Sequence, residues 1–248
     1  MFYTNGNAFQ LLNLQTFILT KRYKYMGVLS FLFSSSLGRK LIMAVTGISL
    51  IAFLLVHCLI NATVFFNDGG KTFNEAAEFM AHNWFIRTTE ILLFVGLLLH
   101  IIQGIYLVFD NRKKRSAKYS GKAGNANSTW YSRSMGLLGS IVLIFLVLHL
   151  KHFWVVSRFE IPHGLNDENL FAEMVAVFEN PIAVIVYVIG CFGLTYHLMH
   201  GFGSAFQTFG INHKSYTPFI NSVGMAFSFV IPLIFAAIPV VMHLGLIK

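Results

Sequence analysis

Apolar positions in this chain neither alternate at the period of a strand nor form the narrow stripe of a soluble helix. They gather in long runs. Five runs, at 41–66, 85–109, 135–156, 181–206 and 216–246, are each long enough for a bilayer crossing, which takes about 20 residues. The pattern predicts an all-α integral membrane protein, a five-transmembrane-helix bundle over 37–248. The preceding segment, 1–36, differs in kind. Its apolar stretch 8–20 is short, broken by Gln10, Asn13 and Gln15, and followed rather than preceded by Lys21, Arg22 and Lys24, the wrong order for a secretory signal. We read 1–36 as an interfacial or docking segment, with Ser34, Ser35 and Ser36 offering an N-cap to the first span.

Composition removes the soluble alternative. Hydrophobic residues make up 56% of the chain and charged residues 11%, against roughly 25% charged in a soluble domain. Cys58 and Cys191 both lie inside apolar runs, which argues against a disulfide framework. The net charge of +8 invites a nucleic-acid reading, but its distribution follows topology instead. With the N-terminus cytoplasmic, thirteen of the eighteen Lys and Arg fall inside and nine of the ten acids fall outside, as the positive-inside rule requires. The basic inner face is then also a docking surface for a cytoplasmic partner.

Ionisable residues inside a membrane are costly and are functional candidates by default. Here they are histidines: His57, His100, His149 with His152, and His197 with His200 in the first four runs, and His243 near the end of the fifth. A lone helical histidine is more often a hydrogen-bonded core residue than a ligand. Four consecutive spans each supplying one, almost without carboxylates, reverse that expectation. His57, His100, His149 and His197 each sit about two-thirds of the way along their own run. Because successive helices alternate direction, His57 and His149 share an outer level and His100 and His197 an inner one, on the order of 10 Å apart. Two levels of two histidines are what two bis-histidine haems stacked across a bilayer require. The HxxH spacing also fits a di-iron fragment, but such sites draw on carboxylates, and Glu90 is the only clear acid near a span. Gly47, Gly96, Gly104, Gly190, Gly193, Gly201 and Gly203 lie within spans and serve close helix packing, room for a flat macrocycle, or both.

These features together resemble the cytochrome b membrane anchor of succinate:quinone oxidoreductases (succinate dehydrogenase and fumarate reductase) in its single-subunit, five-helix, di-haem form. The resemblance covers roughly 37–246. It rests on the histidine order, on "VTGISLIAFLLVH" ending at His57, and on "FNEAAEFM" before the second span. "LLLHIIQGIYLVF" around His100, "LIFLVLH" ending at His149 and "HLMHGFGSAFQTFG" from His197 complete the set. It implies two haem b groups, with His57 and His149 as axial iron ligands of the outer haem and His100 and His197 of the inner one. The family register, from Gly139 in the third span and to Phe209–Gly210 in the fourth, selects His149 over His152 and His197 over His200. His152 and His200 are then structural or hydrogen-bonding neighbours.

The resemblance further implies a multi-pass protein of the bacterial cytoplasmic (inner) membrane. It would anchor a flavoprotein subunit and an iron–sulfur subunit and relay electrons between them and menaquinone. FAD and iron–sulfur clusters are expected on those partners, since this chain has no dinucleotide fingerprint and no cysteine cluster. Some relatives carry a glutamate proton path two residues before the fourth-span ligand; Thr195 stands there instead. For quinone chemistry at the outer haem, Glu75 and Glu78 are the nearest carboxylates, at i, i+3 on an expected helix. Their plainer role is to favour that helix N-terminus through its dipole. The competing readings are a stand-alone di-haem quinol or ferric reductase cytochrome, and a transporter with a histidine proton relay.

Overall fold

The computed structural model describes residues 27–114, 130–160 and 169–247. Two compact units divide the chain after Ile42. In the first, α1 (Val28–Ser34) stops at Ser35, whose hydroxyl donates to the Phe31 carbonyl at 2.7 Å and accepts from the Gly38 N–H at 2.9 Å. That second bond is an N-cap, and it opens α2 (Ser36–Ala62). Of the three serines the sequence offers, Ser35 takes the role. A side chain at Gly38 would overlap the Phe31 carbonyl. Residues 1–26 of the expected docking segment lie outside the described residues.

In the second unit α2 runs into a 3₁₀ turn, Thr63–Phe66, followed by α3 (Lys71–His82), α4 (Trp84–Lys114) and α5 (Trp130–Arg133). Next, α6 (Met135–His149) continues directly as a π-helix, Leu150–Glu160; then come α7 (Leu170–Glu179), α8 (Pro181–Thr208) and α9 (Thr217–His243). Five segments are long and apolar enough to cross a membrane: Ser36–Phe66, Trp84–Asp110, Met135–Phe159, Pro181–Thr208 and Thr217–His243. They match the five runs read from the sequence to within a few residues, and are called spans 1 to 5 below. The chain is an all-helical, multi-pass membrane protein.

Helix ends follow local chemistry. Asn180 accepts from the Ile182 N–H with Pro181 at the first helical position, and Asn169 accepts from the Ala172 N–H. Span 5 tolerates the buried Pro232 and Pro239 within α9, as membrane helices do when neighbours satisfy the freed backbone.

Glycines set the closest approaches. A Cβ on Gly190 would sit 2.5 Å from the Phe145 ring, one on Gly193 2.8 Å from Ile141, and one on Gly224 2.5 Å from the Phe202 ring. These contacts seat span 4 against spans 3 and 5, where small residues let backbones approach. At Gly96 and Gly201 an added Cβ would meet nothing within 4 Å. The span glycines therefore divide: some are packing sites and others border open space.

Both α3 and α7 lie at one end of the bundle. The Asn74 amide donates to Asn169 Oδ1 at 3.1 Å while its oxygen accepts from the Phe171 N–H at 3.0 Å. The Phe171 ring rests on Gly70, whose φ of 79° is left-handed, so this position needs glycine for both reasons. Beneath the two helices lies the main buried core, with Val64, Phe73, Met174, Phe178 and Tyr187. Asp68 accepts from the Thr72 N–H and hydroxyl at 3.0 and 2.6 Å. Those bonds hold its carboxyl below the usual carboxylate range.

Candidate functional site

Each of the four histidines expected to act in pairs finds the expected partner. His57 of span 1 faces His149 of span 3 with ring centroids 5.7 Å apart and planes at 87°. His100 of span 2 faces His197 of span 4 at 6.3 Å and 63°. Aromatic rings wall the first pair: Phe53 stacks on His57 at 5.2 Å, Phe235 approaches it at 5.5 Å, and Phe145 and Phe153 flank His149. Glycines border the second pair. A Cβ on Gly47 would lie 3.6 Å from His100 Cε1, and one on Gly139 3.7 Å from His197 Cε1.

Three helices measure the spacing of the two pairs. On α2, Thr46 touches His100 and His57 belongs to the other pair. On α6, Gly139 borders His197 and His149 belongs to the other pair. On α8, Tyr187 packs on His149 and His197 belongs to the other pair. At 1.5 Å rise per residue, all three place the levels about 15 Å apart, somewhat more than depth along the runs had implied.

The Nδ1 atoms divide the four. His100 Nδ1 lies 3.1 Å from Thr46 Oγ1 and His57 Nδ1 lies 3.4 Å from the Asn61 amide nitrogen. His149 Nδ1 and His197 Nδ1 are buried without a hydrogen-bond partner. The neighbouring histidines behave differently. His152 stacks on Tyr187 with its Nδ1 3.0 Å from the hydroxyl, and His243 Nδ1 lies 2.9 Å from the Phe178 carbonyl. Among the described residues no cluster of three or more His, Cys, Asp or Glu forms that suits a bare metal ion. Cys58 and Cys191 are buried free thiols.

Glu75 and Glu78 are exposed on α3, with Lys71 4.0 Å from Glu75. Glu90 is the better-held carboxylate. It accepts from Trp154 Nε1 at 2.7 Å, from Arg158 at 3.0 Å and from Arg87 at 2.9 Å. Both arginines line a cavity of about 500 Å³, bordered also by Ala81, His82, Trp84 and Thr88. It lies near the end of the bundle that carries α3. The sequence reading noticed Glu90 but not its partners, since Trp154 and Arg158 reach it from span 3. Thr46, Asn61 and Tyr187 were also missed; each is an ordinary polar residue in an apolar run until the fold sets it beside a histidine.

Fold and site define an all-helical membrane protein with two histidine pairs stacked through its bundle. The chain is similar to the succinate dehydrogenase cytochrome b558 subunit of Bacillus subtilis (strain 168), 27% identical over 160 residues, which is 64% of this chain and 72% of that protein. That relative bears out the resemblance read from the sequence, to a cytochrome b membrane subunit of succinate dehydrogenase. No family model matches the chain, and no solved structure matches it.

Proposed function

We propose that this protein is the di-haem cytochrome b anchor of a succinate dehydrogenase or fumarate reductase complex in a bacterial cytoplasmic membrane, with its N-terminus cytoplasmic. It passes electrons between an iron–sulfur subunit and menaquinone. The observation that carries this reading is the pair of imidazole pairs. An iron held between two imidazoles by bonds of about 2 Å puts their centroids about 6 Å apart, and both pairs have that spacing. The orphaned Nδ1 atoms of His149 and His197 also favour a site built around a bulky group.

In this reading His57 and His149 hold one haem b and His100 and His197 the other. The haems supply one-electron chemistry, which this chain's own side chains lack. The protein's part is to fix the imidazoles, to surround the His57–His149 pair with aromatic rings that exclude water, and to exchange protons where quinone reacts. Glu75 and Glu78 remain the proposed carboxylates for that exchange, and Glu90 joins them because its arginine partners line the cavity. FAD and iron–sulfur clusters belong to the flavoprotein and iron–sulfur subunits docked on the basic face.

Purification in mild detergent tests the proposal. Two low-spin haem b signals and a copurifying flavin-containing subunit are expected. Haem without such a partner favours a stand-alone reductase cytochrome, and absence of haem leaves the histidine-relay transporter. Glu75→Gln, Glu78→Gln and Glu90→Gln should separate the quinone step: the responsible variant loses quinone-linked turnover while both haem spectra and dye-linked succinate oxidation persist.

A further inference from the structure

Thr46 is 7% exposed and stands at the level of His100 and His197. Its Oγ1 lies 3.2 Å from the Met43 carbonyl and 3.1 Å from His100 Nδ1. A hydroxyl has one proton to donate and lone pairs to accept with. With Nε2 as the ligating atom, Nδ1 carries the ring proton and can only donate, so the Thr46 oxygen accepts from it and the hydroxyl proton goes to the Met43 carbonyl. A Cβ on Gly47 would lie in ordinary contact with Cε1, so one edge of the imidazole lies along Thr46–Gly47.

The other three histidines lack this arrangement. His197 leans the same edge on Gly139, but its Nδ1 has no partner, and neither has that of His149. The nitrogen beside His57 Nδ1 is the Asn61 amide, a donor already bonded to the His57 carbonyl at 2.8 Å. Among the described residues His100 alone of the four has a side-chain acceptor at Nδ1.

We infer that Thr46 is a positioning residue that fixes the tautomer and ring plane of His100 for ligation through Nε2 and makes it the more basic imidazole of its pair. The inference rests on the haem reading above. Hydrogen bonding at the far ring nitrogen raises ligand basicity, and a more basic axial ligand favours oxidised iron. Thr46 therefore lowers the midpoint potential of the haem held by His100 and His197.

The test is a redox titration of both haem b components, with low-temperature EPR, in the complete complex carrying Thr46→Val or Thr46→Ser. Valine keeps the shape and removes the acceptor; serine keeps the acceptor. The component that disappears in His100→Ala should rise in potential and change its low-spin EPR signal in the valine variant, while the other component stays fixed and serine retains the wild-type values. Unshifted potentials with valine, or equal shifts in both components, overturn the role of Thr46 and leave the haem assignment standing. If valine lowers haem content, serine decides: full content at unchanged potential supports the role, and equal loss overturns it. Absence of haem b from the wild-type complex overturns the functional reading beneath.

Discussion

His152 and Tyr187 lie ring on ring, with centroids 5.9 Å apart and planes 10° from parallel. The helix widens to π geometry at Leu150, immediately after His149. His149 touches the same Tyr187 ring at 6.1 Å, so the two histidines, at i, i+3, share that neighbour, while His149 also faces His57 at 5.7 Å. His152→Ala should therefore retain both haems and cost about 1 kcal/mol for the lost hydrogen bond, read as a lower melting temperature of the purified protein. His200→Ala should likewise keep full haem content. Loss of a haem from His152→Ala but not from His149→Ala would move the third-span register by one turn.

Replacing His57, His100, His149 or His197 by Ala should remove one of the two low-spin haem signals. His57 and His149 variants should lose the same spectral component, and His100 and His197 variants the other. Pyridine haemochrome assay with EPR measures both. Any of the four that keeps both low-spin signals breaks the assignment.

Glu90 gathers Arg87, Arg158 and Trp154 around one carboxylate, with its own side chain 19% exposed and that of Arg158 14%. Glu90→Leu should lower stability by about 2–3 kcal/mol, because it leaves the mostly buried Arg158 without its counter-charge. Glu90→Gln should cost less, since the amide oxygen still accepts from Trp154. Thermal unfolding in detergent orders the two variants, and equal melting temperatures would mean that the network does not hold spans 2 and 3 together.

A methyl group on Gly190 would press into the Phe145 ring. Gly190→Ala should destabilise the protein by about 1–3 kcal/mol through overpacking between spans 3 and 4. Gly96→Ala, where nothing lies within 4 Å, should leave stability unchanged in the haem-free protein. Denaturation of haem-depleted samples gives the comparison; indistinguishable variants would contradict the packing role of Gly190.

Asp68 contributes to stability in one pH direction. Its carboxyl is held below the ordinary carboxylate range by the Thr72 hydrogen bonds, so the folded state favours the ionised form. That contribution is complete above the unfolded pKa of about 3.9 and disappears as pH falls through the lowered folded value. Hydrogen exchange at the Thr72 amide should accelerate, beyond its intrinsic pH dependence, in acid, and Asp68→Ala should show the faster exchange already at neutral pH. An amide equally protected in both proteins would mean that Asp68 does not hold this turn.

The spans were legible because a bilayer imposes a length and a polarity that any 20-residue run displays. The histidine pairing was legible for a related reason: depth along a membrane helix is readable from residue number, and alternating direction converts it to level. What the sequence hid depends on rotation about helix axes or on contacts between distant segments. The π-helix after His149 has no composition of its own. α7 was missed because its ten residues are too short for a span and gain their burial only against α3, the π-helix and spans 4 and 5. The partners of Glu90 were invisible until spans 2 and 3 met.

The separation of the two histidine levels has an electrical consequence. With redox centres at both, an electron passing between them moves about 15 Å along a hydrocarbon core about 30 Å thick, roughly half the voltage drop. A unit charge taken across the whole membrane exchanges about 2.3 kcal/mol per 100 mV with the field, so this step exchanges about 1 kcal/mol per 100 mV. The membrane potential then favours transfer in one direction and opposes it in the other, and collapsing that potential should change the two directions of turnover in opposite senses.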